Sequence, residues 1–251
     1  MSVKKSPDGR RWVQSEVEVP GTVEEVWRAI ASGPGISAWF VATTFEPSDE
    51  APERLLCDFG QGLAETARVK EWDPPRRFLA EGSWGEGAPP VATEWTVEAR
   101  DGGTCVVRVV HSLFASTDDW DDQLEGTEGG WARFFLTLKL YLRHFAGQPA
   151  VFDQRMLPLS DSLDATWAAL TAELGLAEGP WEGPAGLGRG VVEAVVPHGA
   201  FLRLDEGHLV QLELMEMGGQ GFVAWRQYSY GGATDEGAWQ GWITSRFGTA
   251  S

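Results

Sequence analysis

The residue of this 251-residue chain that is best suited to take part in chemistry is His111, which follows a valine-rich segment. If Val107, Val109 and His111 share the inward face of a strand, the imidazole reaches the interior of the domain near Phe114. There it could hydrogen-bond a ligand, act as a general base, or serve as a structural group at the end of a strand. We favour the structural interpretation.

Stronger catalytic signatures are absent from the sequence. It contains no GxSxG, P-loop or HExxH motif, and no GxGxxG motif after a strand. The other three histidines are scattered without metal-ligand spacing, and the acidic residues of segment 118–122 lack the glycine and glutamate pattern of an EF-hand. We therefore expect no catalytic residue, no metal and no cofactor.

Aromatic residues offer a second kind of chemistry, because each of the 13 tryptophans combines a large apolar surface with one N–H donor. Strand alternation gives an inward face but leaves open whether the interior is a filled aromatic core or a pocket. We predict a ligand-binding set at the positions Trp39, Phe40, Trp72, Trp84, Trp95, His111, Phe114, Trp131, Phe135 and Leu138.

One long helix must position the last members of this set. From Gly129 to Ala146, bulky apolar residues recur at the spacing of one helical face. Gly129 and Gly130 are expected to stop any earlier element, and Gly147 ends the helix. The preceding acidic segment 116–128 is predicted to be a loop.

Strand-like segments precede this helix. Residues 11–19 alternate as a half-buried strand, Thr22 begins a capping box for a first helix, and a short second helix is expected before Phe40. Five further strands are predicted over 53–58, 65–73, 78–84, 92–99 and 104–112. This order indicates an α+β fold with a curved antiparallel sheet wrapped around the long helix.

Several stretches in this order resemble the START-like (SRPBCC, Bet v 1-like) superfamily, in the activator of heat-shock protein 90 ATPase-like family. They are VEVPGTVEEVWRAIASGPGISAWF, VKEWDPPRRFLAEGSW, TEWTVEARDGGTCVVRVVHSLF and EGTEGGWARFFLTL. The resemblance covers about residues 11–147 and implies a helix-grip fold with a cavity between helix and sheet. It does not imply one chemistry, because this fold hosts binders, carriers, cyclases and co-chaperone domains.

The sequence changes character after Gly147. We predict a helix-grip domain over 1–147, a connector over 148–160, and a smaller α+β domain over 161–251. The last part contains a helix over 160–175, a loop over 178–190, four strands and a final helix over 236–247. It is interpreted either as a diverged helix-grip repeat that lacks the initial strand, or as an unrelated arrangement of common elements.

Composition limits the partners. A net charge of −17 argues against a nucleic acid, and no run approaches a membrane span. The N-terminus has no apolar region typical of a signal peptide, and the two cysteines fit buried, reduced strand positions, so we expect a cytoplasmic protein.

These observations rank three functions. The first is binding of a small hydrophobic or aromatic ligand in a cavity between long helix and sheet. The second is a protein-interaction role with a chaperone or a regulator. The sequence also leaves open whether the protein forms a homodimer. The third is a cyclase- or hydratase-type enzyme, which would need polar groups converging in the cavity.

Overall fold

The computed structural model describes residues 3–60, 62–83, 88–115, 117–232 and 237–248. The chain divides into two compact units, with the division between Pro149 and Ala150.

The N-terminal unit is built on an antiparallel sheet in which the second strand pairs with the last. Two of its strands, Lys4–Lys5 and Ala42–Glu46, were not predicted from the sequence, because they are only two and five residues long and show little alternation. In chain order the strands are β1 (Lys4–Lys5), β2 (Arg10–Pro20), β3 (Ala42–Glu46), β4 (Arg54–Gly60), β5 (Leu63–Asp73), β6 (Arg77–Ser83), β7 (Pro90–Arg100) and β8 (Thr104–Phe114). Across the sheet, the order is β1-β2-β8-β7-β6-β5-β4-β3.

Three helices accompany this sheet: α1 (Val23–Ile30), α2 (Gly33–Ser37) and α3 (Asp121–His144). The predicted capping box of α1 is confirmed, since Thr22 Oγ1 accepts from the Glu25 amide and the Glu25 carboxylate accepts from the Thr22 amide. No helix in the described part of the chain is long and apolar enough to cross a membrane.

The beginning of α3 corrects the sequence analysis, which placed a loop over 116–128 and a stop at Gly129 and Gly130. The helix starts at Asp121 and runs through both glycines. A glycine inside a helix costs roughly 1 kcal/mol, but Leu124 is fully buried among Val13 and Leu113. Asp121 also receives two hydrogen bonds from Arg11, at 2.7 and 2.8 Å. These tertiary contacts outweigh the local preference.

The inward face of the sheet follows the predicted alternation. Phe78 lies opposite Trp95, and Thr93 lies opposite His111, so side chains from β6, β7 and β8 point the same way. Trp131 of α3 contacts Trp95 on this face, with ring centroids 5.0 Å apart. Register shifts between Asp58 and Gly60 of β4 and between Val69 and Glu71 of β5 mark irregularities at which these strands bend. This curved antiparallel sheet is consistent with a helix-grip fold.

The C-terminal unit has its own antiparallel sheet, whose strands are β9 (Ala150–Pro158), β10 (Gly179–Glu182), β11 (Arg189–Val196), β12 (Gly199–Leu204), β13 (His208–Met217) and β14 (Gln220–Tyr230). Across the sheet, the order is β10-β11-β12-β13-β14-β9. Its helices are α4 (Leu163–Leu174), capped by Ser162 and ended by a left-handed Gly175, and α5 (Ala238–Phe247). The predicted start of α5 at residue 236 lies outside the described residues.

Two predictions for this part are wrong. Most of the proposed connector over 148–160 is strand β9, which pairs with β14 along its whole length, from Ala150↔Tyr230 to Pro158↔Phe222. The proposed loop over 178–190 contains β10, which pairs with β11. Both segments carry prolines, which mask a strand in the sequence although an edge strand tolerates them.

The pairing of β9 with β14 also overturns the interpretation that this unit lacks an initial strand. In both units an early strand precedes a helix and pairs with the last strand of its sheet, and a helix follows that last strand.

The close approach of α1 and α2 yields a stability prediction. A Cβ on Gly35 would lie 1.9 Å from the Arg28 carbonyl oxygen, a distance at which backbone must shift. We expect Gly35→Ala to lower the free energy of unfolding by about 2 kcal/mol or more, measured by urea denaturation.

Gly126→Ala is the matched control, because a Cβ there meets nothing within 4 Å and the residue lies inside α3. It should leave stability unchanged or raise it by up to about 1 kcal/mol. Equal effects of the two substitutions would contradict the packing described for α2.

Candidate functional site

A pocket of about 310 Å³ lies in the N-terminal unit, between the inward face of the sheet and helices α2 and α3. Its walls are mainly apolar and include the fully buried ring of Trp39 and the buried ring of Trp95. Phe59 and Phe134, which also line it, are half-buried. The volume falls at the lower end of the range typical of small-molecule sites, about 300–1,000 Å³.

Five of the ten predicted ligand-binding residues line this pocket: Trp39, Phe40, Trp95, His111 and Trp131. They come from the turn after α2, from β7, from β8 and from α3, so the fold brings together positions up to 92 residues apart (Trp39 to Trp131).

Two other predicted residues belong to the core beside the pocket. Phe135 is buried and contacts both Trp95 and Trp131, at centroid distances of 6.2 and 5.5 Å, and Leu138, one turn further along α3, is fully buried. Neither lines the pocket. Trp84 lies outside the described residues.

Phe114 and Trp72 are placed differently from the prediction. Phe114 is 64% exposed, because it lies three residues after His111 and strand alternation turns it to the opposite face. Trp72 packs against Trp27, with centroids 5.2 Å apart, and donates its indole N–H to the Glu50 carbonyl at 3.0 Å. It lines a separate cleft.

The aromatic side chains hold one another in fixed orientations. Trp131 stacks on Phe40, with centroids 5.2 Å apart, and meets Trp95 edge to face at 5.0 Å. Trp39 is anchored by its indole N–H, which donates to the Ala29 carbonyl of α1 at 2.8 Å. Such aromatic pairs contribute about 0.5–1.5 kcal/mol each beyond their buried area, so this side of the pocket is preorganised.

His111 is hydrogen-bonded through both ring nitrogens. The Trp131 indole donates to Nε2 at 2.6 Å, and Nδ1 lies 2.9 Å from Thr93 Oγ1. The ring planes of His111 and Trp131 are 17° apart, which suits an in-plane hydrogen bond. Burial lowers the pKa of His111 from 6.5 to about 4, so the imidazole is neutral near pH 7.

Two further titratable groups on the pocket wall, Cys57 and Glu65, are cross-strand partners on β4 and β5. Burial raises the pKa of the Cys57 thiol to about 11, which makes the thiolate rare at neutral pH. Glu65 is exposed as a residue, yet the partial burial of its carboxyl group raises its pKa. Neither Cys57 nor Glu65 has the lowered pKa that an activated nucleophile requires.

The sequence analysis missed several lining residues. Thr93 was recognisable, because it shares the face of Trp95 in the alternating segment 92–99. Leu55, Cys57 and Phe59 were also recognisable, because they form the apolar face of β4, opposite Arg54 and Asp58. Among the described residues, no group of histidine, cysteine, aspartate and glutamate side chains could hold a metal ion.

Solved structures with a similar fold include three of interest. DynU16, from the dynemicin biosynthetic locus, is 19% identical, with 89% of this chain and 87% of that chain covered and a TM-score of 0.45. BexL, a di-domain ARO/CYC of the BE-7585A biosynthetic pathway, is 17% identical, with 96% and 89% covered and a TM-score of 0.47. The Aha1 dimer of Colwellia psychrerythraea is 17% identical, with 53% and 96% covered and a TM-score of 0.43.

Sequence comparison with curated proteins gives no match. A family model described as Activator of Hsp90 ATPase homolog 1-like protein matches residues 20–143, from the end of β2 to the last turn of α3. Residues 20–143 of the N-terminal unit therefore belong to the activator of Hsp90 ATPase homolog 1-like family.

Proposed function

We propose that the N-terminal unit is a helix-grip domain that binds a small hydrophobic or aromatic molecule between its sheet and α3. The observation that carries this proposal is the apolar pocket of about 310 Å³, walled by aromatic rings whose orientations are fixed by their neighbours. A preformed apolar site loses little conformational freedom when it is filled, which favours affinity.

The C-terminal unit fits the proposal as a smaller domain built on the same plan. Its support is topological: β9 pairs with β14 as β2 pairs with β8, and α5 follows the last strand as α3 does. The face of its sheet that packs against α4 and α5 consists of buried apolar residues, including Leu212 and Trp225.

An enzyme role has less support, because the one histidine of the pocket is poorly suited to act as a base. Both nitrogens of His111 are engaged in hydrogen bonds, and its pKa of about 4 keeps it a weak proton acceptor at neutral pH.

A chaperone-directed interaction remains the second candidate function. A pulldown with a heat-shock chaperone tests it independently of ligand binding.

The ligand-binding proposal predicts that naphthalene binds the purified protein, measured by isothermal titration calorimetry. Ala67→Phe should raise the dissociation constant by about tenfold or more, because Ala67 lines the pocket and the added ring occupies its volume. Ala99→Phe makes the same change at an exposed position of β7 and should leave binding unchanged. Absence of naphthalene binding to the unsubstituted protein would contradict the proposal.

The environment of His111 predicts a pH-dependent stability. Since its pKa is lower in the folded than in the unfolded chain, the unfolded chain binds more protons between about pH 4 and 6.5, and stability falls as pH falls through that range. Between pH 7 and 4.5 we expect this one residue to account for a loss on the order of 2 kcal/mol in the free energy of unfolding.

The comparison is with His111→Gln, whose amide can replace both hydrogen bonds but does not titrate. Urea denaturation of the two proteins at both pH values isolates the contribution of the histidine, because the carboxylates, including Glu65, are common to both. Parallel pH profiles would show that His111 titrates normally in the folded protein.

A further inference from the structure

The direction of the hydrogen bonds around His111 is fixed by chemistry. An indole nitrogen can only donate, so His111 Nε2 must accept from Trp131. A neutral imidazole carries one proton, which must then lie on Nδ1 and be donated to Thr93 Oγ1, 2.9 Å away. The Thr93 oxygen is thereby an acceptor, and its own proton remains free for another partner.

That proton has no acceptor within the described protein. His111 is the only hydrogen-bond partner of the Thr93 hydroxyl among the residues that the structure describes. Thr93 lines the pocket and is half-buried, on the same face of β7 as Trp95. The hydroxyl therefore offers a donor to whatever fills the space beside it.

The charge of the pocket restricts what that partner can be. Glu65 is the charged side chain of its lining, and neither lysine nor arginine lines it among the described residues. The whole chain carries a net charge of −17. An anionic ligand would thus enter a low-dielectric site without a cation to balance it.

We propose that Thr93 is the specificity residue of the pocket and that it donates a hydrogen bond to a neutral acceptor oxygen, such as a ketone, on an aromatic ligand. The proposal rests on the ligand-binding function proposed above and adds the class of ligand. Trp131 and His111 act as positioning residues, because together they hold the Thr93 hydroxyl in the donating orientation.

Three probes of similar shape test the proposal by isothermal titration calorimetry: naphthalene, 2-acetylnaphthalene and 2-naphthoate. The unsubstituted protein should bind the ketone more tightly than the carboxylate. In Thr93→Val the affinity for 2-acetylnaphthalene relative to naphthalene should fall by about fivefold, the effect of one ordinary hydrogen bond. Thr93→Ser keeps the hydroxyl and should retain the original ratio.

An infrared measurement on the unsubstituted protein keeps the test independent of how well the variants fold. The carbonyl stretching band of bound 2-acetylnaphthalene should lie below its frequency in hexane, as in a hydrogen-bonded ketone.

A band at the hexane frequency, an unchanged affinity ratio in Thr93→Val, or tighter binding of 2-naphthoate would overturn the role of Thr93 while naphthalene binding still upholds the pocket. Failure of all three probes to bind would overturn both proposals.

Discussion

The hydrogen bond between the Trp131 indole and the His111 imidazole joins α3 to a central strand of the sheet, and the geometry of the pocket depends on it. Both groups are buried, so neither can exchange this bond for one to bulk water without a structural opening. The bond fixes the plane of the tryptophan, and that plane decides where Phe40 stacks and where Trp95 meets it edge to face. One polar contact thus orients a largely apolar wall.

Alternation along β7 and β8 allowed part of the site to be predicted from sequence, because each strand has a period of two and one dominant apolar face. It placed Trp95 and His111 correctly on the inward side. Phe114 was placed wrongly because it is close to His111 in sequence. The two residues are three positions apart on the strand, and an odd separation turns their side chains to opposite faces of the sheet. The contribution of β4 was missed although its alternation shows it: Leu55, Cys57 and Phe59 share one apolar face, but the predicted strand ended at Asp58 and no inward face was assigned to it.

Other errors came from residues whose local preferences yield to tertiary contacts. Glycines at 129 and 130 suggested a break, yet the helix passes through them because its first turn is held by Arg11 and by the buried Leu124. Prolines at 149 and 158 suggested a connector, yet the residues between them form an edge strand. In both cases a deciding partner is distant in sequence: Arg11 lies 110 residues from Asp121, and Pro158 lies 64 residues (222 − 158) from its partner Phe222. No local pattern can reveal such a partner.

The pairing of an early strand with the last strand of the same sheet has a consequence for how the chain folds. Strand β2 pairs with β8, which is formed by residues 104–114, and β9 pairs with β14, which is formed by residues 220–230. During synthesis each early strand therefore waits for about 70 to 90 residues, with its hydrogen-bonding edge open, before its sheet can be completed. Such non-local pairing is typical of slow folding. Since the division between the units falls after the first sheet and its closing helix, the N-terminal sheet can be complete before the second one begins.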